Sequence, residues 1–308
     1  MPITTNHRQS GIVMILSPAK TLDLSPFDGE STIMKNVGVT QPDCHHEQTR
    51  YIAQCMKQRS ATELAKLLSL STTLAQTAAS YWKAYDEEAP SNNPQAKPCI
   101  FAFSGAAYQG LDISTCDNAA LSYMQSCLRI LDPLYGVLRP LDRIQPYRLE
   151  MATKNAIFVD KKRRIKLSDY WKPAVTRRLS DDLKQVSPSS ILLNLASDEY
   201  SVAVDSTNLP AQTKCIKVVF HEPNGKVVAV HAKRARGLMV RYLASVQATT
   251  TDDIQKFDLE GYAFQPNASD ETTFVFQRQS TPVTASSKRT AATATKEPAA
   301  KRTRKTHD

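Results

Sequence analysis

The chain has 308 residues, of which 41% are hydrophobic and 22% are charged. This length and balance allow a substantial buried core, which excludes an intrinsically disordered scaffold. No apolar run approaches the roughly 18 residues that a membrane span requires, and the N-terminus MPITTNHRQS has no signal-peptide core. We therefore expect a soluble, cytoplasmic protein that does not contact a membrane. The six cysteines contain no C-x-x-C pair, so we expect free thiols.

The net charge of +9 is unevenly distributed along the chain. Residues 286–308 contain seven basic and two acidic residues and so carry +5, which leaves +4 for residues 1–285. Residues 279–308 are rich in Thr, Ala, Ser and Lys, which predicts a disordered basic tail. Its basic pairs, Lys288-Arg289 and KRTRK at 301–305, have the spacing of a bipartite nuclear-import signal. A basic arm that attracts phosphates nonspecifically is the alternative.

The first half of the chain predicts one strand, a helical region and a second strand. GIVMIL (residues 11–16) is a short apolar run that ends at Ser-Pro, as a buried strand does. Residues 43–88 are helical in pattern, with a capping box at Ser60 and Glu63 and a second cap at Ser71. Residues 89–98 form a loop. CIFAF (residues 99–103) is predicted to be the second strand.

The second half alternates helical and strand patterns. Residues 118–131, 168–183 and 235–246 have helical spacing. Pro223-Asn224-Gly225 is predicted to be a hairpin turn that leads into a strand at 227–232. These patterns predict an α+β fold in which helices pack on a mixed β-sheet, as one large domain at residues 11–278 after a flexible N-terminus at 1–10. Other short apolar runs, at residues 156–159, 191–196, 215–220 and 273–277, are the remaining predicted strands.

Two segments at strand ends are candidates for chemistry. SPAKTLD (residues 17–23) places Lys20 after a strand, where a turn can present its amine to an anion or, if desolvated, use it as a nucleophile. NLASDEY places Asn194, Asp198, Glu199 and Tyr200 after another strand, where two carboxylates suit acid and base chemistry or a divalent ion. A purely structural role, with Asp198 capping a turn and Glu199 in an ion pair, is the alternative.

Common enzyme and metal motifs do not occur in the sequence. There is no Walker A, GxGxxG, HExxH or GxSxG pattern. CHHE (residues 44–47) puts metal-ligand types side by side, but neighbours on a helix point in different directions, so the start of a surface helix is the simpler interpretation. We therefore predict neither a metal nor a cofactor, and no dense His, Glu or Cys cluster indicates direct iron storage.

Seven short segments occur in this order along the chain: SPAKTLD, YxGL at 108–111, LYGVLRPLD, QPYRLEM, NLASDEY, AKRARGLM and EGYAF. Together they resemble the bacterial peroxide stress protein YaaA family, over about residues 15–278. The resemblance implies a role in resisting hydrogen peroxide by keeping free intracellular iron low, DNA binding through a basic cleft with a helix-hairpin-helix element, and no established catalytic reaction. The sequence departs from the family pattern at Ala106 and Ala107, where relatives carry an acidic residue and a valine.

The segment LYGVLRPLDRIQPYR (residues 134–148) is the best match to a helix-hairpin-helix. Residues 121–131 fit the first helix, and proline suits a helix start either after Asp132 or after Arg139. On this hypothesis basic side chains contact the phosphates of double-stranded DNA, bent or damaged duplex included, with little sequence specificity. The alternative is a DNA-repair or small-molecule enzyme that uses Lys20 with Asp198 or Glu199. The predicted DNA-binding residues are Tyr135, Gly136, Val137, Arg139, Arg143, Arg148, Lys233, Arg234, Arg236 and Arg241.

Overall fold

A seven-stranded mixed sheet forms the centre of the protein. The computed structural model describes residues 11–27, 38–42, 46–87, 93–159, 163–186 and 189–279. The sheet has the strand order β12-β13-β11-β10-β1-β5-β6. The strands of the described residues are β1 Ile12–Leu16, β2 Thr21–Leu22, β3 Lys97–Pro98, β4 Phe103–Ser104, β5 Leu128–Asp132, β6 Gly136–Leu138, β7 Arg143–Ile144, β8 Ile157–Val159, β9 Arg163–Ile165, β10 Ile191–Leu195, β11 Lys214–His221, β12 Tyr262–Phe264 and β13 Thr273–Arg278.

The five inner strands of the sheet are parallel and its two edge strands are antiparallel to their neighbours. β1 lies between β10 and β5 and runs parallel to both. All five of its residues are buried, because helices cover both faces of a parallel sheet, and this is why the strand is a continuous apolar run. β12 and β6 close the two edges in antiparallel pairs. The predicted α+β architecture, a mixed sheet with packed helices in one domain, is confirmed.

The helices pack on the sheet and on one another. The capping box predicted at Ser60 is present, since its side chain accepts from the Glu63 amide and the Glu63 carboxylate accepts from the Ser60 amide. The Ser71 side chain also caps its helix as predicted. The helices are α1 His46–Lys57, α2 Ala61–Leu68, α3 Thr72–Ala84, α4 Cys99–Ala102, α5 Ala106–Leu111, α6 Asn118–Cys127, α7 Leu167–Val186, α8 Asp198–Ser201, α9 Ala229–Ser245 and α10 Thr251–Gln255.

The predicted helix-hairpin-helix is not confirmed, because the segment after α6 forms strands. The helix ends at Cys127, and β5 and β6 then pair as an antiparallel hairpin in which Asp132 lies opposite Gly136. The Asp132 carboxylate accepts the amides of Leu134 and Tyr135 at 2.8 and 2.9 Å and so shapes the turn. Gly136 has φ +75°, and a Cβ there would lie 2.6 Å from the Trp171 ring. The glycine is therefore required by a strand turn and not by a helical hairpin.

Two other short apolar runs, both predicted to be strands, form helices over most of their length. Residues 99–103 were predicted to be a strand, yet α4 occupies most of that run and only Phe103 belongs to β4. The turn at Pro223–Gly225 exists, but it leads into α9 at Ala229 instead of a second strand. Short apolar runs do not distinguish a helix from a strand by periodicity, and the neighbouring strands decide the outcome.

Some sequence predictions fall outside the described residues. The N-terminal ten residues and residues 280–308, which hold the predicted import signal or basic arm, are among them, as are the first two residues of the CHHE segment. Within the described part of the chain, no helix has both the length and the apolarity that crossing a membrane would need.

A buried polar network beneath β5 connects Asp132 to three tyrosines. Tyr147 donates a hydrogen bond to Asp132, and Tyr85 donates one to Tyr135 at 3.1 Å. Burial raises the pKa of Asp132 to about 6, although the bonds from Tyr147 and the two amides favour the carboxylate. The folded protein therefore holds this proton more tightly than the unfolded chain does.

We expect the substitution Asp132→Asn to remove a pH dependence of stability. Because the folded-state pKa is raised, the carboxyl stabilises the fold below about pH 4, and that contribution is lost as the pH rises to about 6. The free energy of unfolding of the wild type should fall relative to the variant by roughly 1–3 kcal/mol over this window. Asparagine can still accept both amides through its oxygen. Urea titrations of both proteins across the window measure the difference, and a constant difference would contradict the assignment.

Candidate anion-binding site

A cavity of about 250 Å³ opens at the carboxyl ends of β1 and β10. The chain leaves β1 toward β5 on one side and later returns to β10 on the other side, so the two strands flank the point where the connections change direction. In open parallel sheets this point leaves a crevice that commonly binds ligands. The topology therefore explains why the cavity lies there.

Four segments that carry the sequence resemblance form the wall of this cavity. They are the loop after β1, the start of α5, the end of β10 with α8, and the first half of α9. These segments are far apart in the sequence, and only the sheet brings them together. The lining residues are Leu16, Ser17, Pro18, Ala19, Lys20, Thr21, Ser104, Gly105, Ala106, Ala107, Tyr108, Leu195, Ser197, Glu199, Tyr200, Lys233 and Arg236.

Hydrogen bonds around Ser17 join three of these segments. The Ser17 hydroxyl accepts from the Ser197 amide at 2.9 Å, and the two serine hydroxyl oxygens lie 3.3 Å apart. Tyr108 donates from its hydroxyl to the Ser17 carbonyl at 3.1 Å. The ends of β1 and β10 and the helix α5 are therefore held in one arrangement, which presents hydroxyl groups to the cavity.

The position of α9 depends on two glycines at its crossing with α5. A Cβ on Gly237 would overlap the carbonyl oxygen of Ala107, and one on Gly110 would overlap the carbonyl oxygen of Arg234. The two helix backbones are thus in direct contact, which only residues without a side chain permit. This close crossing brings Lys233 and Arg236 to the cavity wall.

Arg236 brings a partly buried guanidinium to the cavity without a protein partner. Within the residues that the structure describes, it makes no hydrogen bond or ion pair, and its Nε is buried and unsatisfied. Burial lowers the pKa of Arg236, and the charge of Asp198 offsets part of that effect. Lys233 lies one turn earlier on α9, is exposed and lines the same wall. The cavity therefore offers two cationic groups to a ligand.

Lys20 stands at the rim of the cavity in a cluster with Arg148 and Glu150. The Lys20 amine lies 2.6 Å from the Glu150 carboxylate, and its side chain is 49% exposed. Arg148 donates to the Lys20 carbonyl at 2.8 Å and lies 3.7 Å from Glu150. The cluster carries a net positive charge, because two cations share one carboxylate.

Comparison with known proteins assigns the chain to a family. A family model described as peroxide stress protein YaaA matches residues 12–268. The chain belongs to the YaaA family. It is 39% identical over 271 residues to a UPF0246 protein of Laribacter hongkongensis, a match that covers 87% of this chain and 99% of the relative. It is also similar to UPF0246 proteins of Chromobacterium violaceum, at 39% identity over 270 residues with 87% and 99% coverage, and of Francisella tularensis subsp. novicida, at 37% over 270 residues with 87% and 100% coverage.

The candidate functional cluster of this YaaA-family protein is only partly assembled. Lys20, Glu199 and Tyr200 line the cavity together. Asp198 points away and pairs with Lys217 at 2.7 Å, with its side chain 82% exposed. Asn194 lines a separate cavity of about 270 Å³, because adjacent residues of a strand face opposite sides of the sheet.

Three of the residues predicted to contact DNA lie in the core. Tyr135 and Val137 are buried, as is Gly136 between them. Tyr135 accepts hydrogen bonds from Tyr85 and from the amide of Gln145. Their position gives these residues a structural role in the β5–β6 hairpin.

Most of the predicted DNA-binding arginines are held by protein acceptors. Arg139 lies 3.5 Å from Asp142, and Arg143 donates to the Ala96 carbonyl at 2.6 Å. Arg234 lies 2.6 Å from Glu260, which raises the pKa of Arg234. Arg241 binds the carbonyls of Leu111 and Asp112. Among these predicted arginines, Arg236 differs by facing the cavity without such a bond.

The sequence analysis did not identify Ser17, Ser197 and Tyr108 as residues of the cavity wall. Ser17 and Ser197 follow buried strands, a position that could have indicated them. Ala106 and Ala107 also line the wall. Among the described residues, no group of three His, Cys, Asp or Glu side chains is arranged to hold a metal ion.

Proposed function

We propose that this protein acts in the response to hydrogen peroxide as a DNA-binding protein, and that it protects DNA and protein by limiting free intracellular iron. In this proposal, duplex DNA lies across the rim of the cavity and its phosphates contact the cationic side chains there. Membership of the peroxide stress protein YaaA family supports the role in the peroxide response. The resemblance to that family supports the link to iron.

The observation that carries the DNA-binding proposal is the pair of cations on α9. Lys233 and Arg236 line the cavity and, among the described residues, neither is engaged by an acceptor. A guanidinium can bind two phosphate oxygens at once, and an ammonium adds a flexible point charge. Lys20 and Arg148 extend the positive surface along the rim. These groups suit a polyanion bound through its backbone with little base readout.

We expect the double substitution Lys233→Ala with Arg236→Ala to weaken duplex binding and to reduce its salt dependence. Each phosphate contact contributes about −0.9 to the slope of log affinity against log salt concentration, so losing two contacts should flatten the slope by about 2. Fluorescence anisotropy with a short labelled duplex at several salt concentrations measures both quantities. Lys184→Ala is the control, since that exposed lysine lies on α7 away from the cavity. An unchanged slope would exclude α9 from the interface.

A binding function is proposed in preference to the catalytic alternative because of how Lys20 is held. A lysine nucleophile needs a neutral amine, which proteins produce by desolvation or by neighbouring cations. Lys20 is not desolvated, since its side chain is half exposed, and its amine is held by the Glu150 carboxylate at 2.6 Å. Asp198, one of its proposed partners, pairs with Lys217 instead.

A further inference from the structure

The cavity is too small for a duplex but close to the size of a site for a small molecule. Its volume is about 250 Å³, and small-molecule sites span about 300–1,000 Å³. The major groove of DNA alone is about 12 Å wide. A duplex on the rim therefore leaves the interior of the cavity available to a single unit of nucleotide size.

The charges inside the cavity require an anion. Its lining contains three cationic side chains and one carboxylate, Glu199. The charge of Lys20 is already balanced by the carboxylate of Glu150, which does not line the cavity. On the wall itself, Lys233 and Arg236 share the one carboxylate of Glu199, and the charge of Asp198 also acts on Arg236. Several arginine Nε atoms are buried without a hydrogen bond in the described structure, but Arg236 is the one among them whose side chain lines this cavity. A ligand anion in the cavity could therefore bond to its guanidinium.

The rest of the wall suits a flat ring and polar substituents. Tyr108 and Tyr200 both line the cavity, and each is largely buried with part of its side chain at the wall. Aromatic side chains provide surfaces on which any nucleic-acid base can pack. The hydroxyls of Ser17 and Ser197 lie together on the same wall and can bond to a sugar or a base edge.

We propose that the cavity binds a single nucleotide unit, with its phosphate on Lys233 and Arg236 and its base against the wall formed by Tyr108 and Tyr200. A free nucleoside monophosphate and a nucleotide extruded from DNA offer the same chemistry. The extruded form rests on the proposed function, since it requires bound DNA. A nucleotide from a duplex has to leave the stack to enter, and this is least costly at a mismatched or damaged position.

The test has two arms, both with the full-length protein. In the first, calorimetry measures the binding of dAMP, deoxyadenosine and inorganic phosphate. In the second, a duplex carries 2-aminopurine opposite an abasic site, and the fluorescence of this base rises when it leaves the stack. We expect dAMP to bind more tightly than either of its parts, or the fluorescence to rise on binding, or both. A signal in the first arm alone identifies a free nucleotide as the ligand, and a signal in the second alone identifies a unit taken from DNA.

Two variants and a control locate the site. Arg236→Gln removes the charge of a side chain that makes no hydrogen bond or ion pair within the described structure, so the fold should persist. In whichever arm gives a signal with the wild type, binding by this variant should weaken at least about tenfold. Ala106→Leu places a larger side chain of high helix propensity at the wall and should exclude the nucleotide unit. Lys184→Ala should behave as the wild type.

Two results would overturn the proposal. The first is no signal in either arm, where dAMP binding no tighter than phosphate counts as no signal in the first arm. The second is full binding by Arg236→Gln in an arm that gives a signal with the wild type. Duplex binding without a signal in either arm rejects the nucleotide site but leaves the proposed function intact. Binding of dAMP by a protein that binds no duplex rejects the proposed function but leaves the nucleotide site intact. The two proposals therefore fail in distinguishable ways.

Discussion

Asp182→Ala should lower the free energy of unfolding by about 3–5 kcal/mol. Asp182 on α7 and Arg129 on β5 form a buried ion pair with Nε and Oδ2 2.7 Å apart, and the side chain of each is 6% exposed. Arg129 also donates to the carbonyls of Leu128 and Ser126, which fixes it in place. Removing the carboxylate leaves the guanidinium buried without its counter-charge. Equilibrium unfolding in urea measures the loss.

The neighbouring residue provides a matched control for this prediction. Asp181 is also a carboxylate on α7, but its side chain is 56% exposed and lies 3.7 Å from the exposed Lys184. Exposed ion pairs contribute about 0–1 kcal/mol, so Asp181→Ala should have little effect. Replacing both buried partners, as Arg129→Met with Asp182→Leu, should recover part of the stability, because the buried guanidinium is removed together with its counter-charge. Arg178, which lies 3.2 Å from Asp182, still loses that contact in the double variant. If Asp182→Ala and Asp181→Ala lowered the free energy of unfolding equally, the role of burial would be contradicted.

Gly237→Ala should destabilise the protein by about 3 kcal/mol, near the upper end of the range for overpacked cores. In an open helix interior, alanine is more favourable than glycine by about 1 kcal/mol, so the expected sign is the reverse of the helix propensity. The reason is the crossing of α9 with α5, where the added Cβ would overlap the Ala107 carbonyl oxygen. That atom belongs to the backbone and cannot rotate away. Thermal and urea unfolding of the variant measure the effect.

The same substitution should also disturb the cavity. Moving α9 away from α5 displaces Arg236, which is adjacent to Gly237, from the wall. Weaker binding of the anionic ligand should therefore accompany the loss of stability. Gly38→Ala is the control, since nothing lies within 4 Å of a Cβ at that position. A stable Gly237→Ala protein with unchanged binding would show that the helices separate without cost.

Much of the secondary structure follows local rules that the sequence contains. The capping box at Ser60 and Glu63 depends on residues three apart. The continuous apolar run of β1 indicates a buried parallel strand, since both of its faces are covered. The family could likewise be predicted from the sequence, because the resemblance depends on short segments in a fixed order.

The segment at 128–138 shows where local reasoning fails. Its leucines and isoleucine fit either a helix or a strand, and pairing of β5 with the buried β1 selects the strand. Asp132 and Gly136 then both stabilise the turn between β5 and β6. The proposed DNA contacts at Tyr135 and Val137 were inferred from a helical hairpin, whereas the hairpin of strands places both in the core.

The sequence by itself determined the family, the mixed α+β class, the helix caps and the segments that carry the family resemblance. Only the tertiary structure decided which basic side chains are available to a ligand. Arg234 is paired with Glu260, 26 residues away, and Lys20 with Glu150, 130 residues away. Arg236, two residues from Arg234, lines the cavity and has no such partner among the residues that the structure describes. The sequence shows which side chains are charged. The acceptors that neutralise them come from distant parts of the chain, which only the fold brings together.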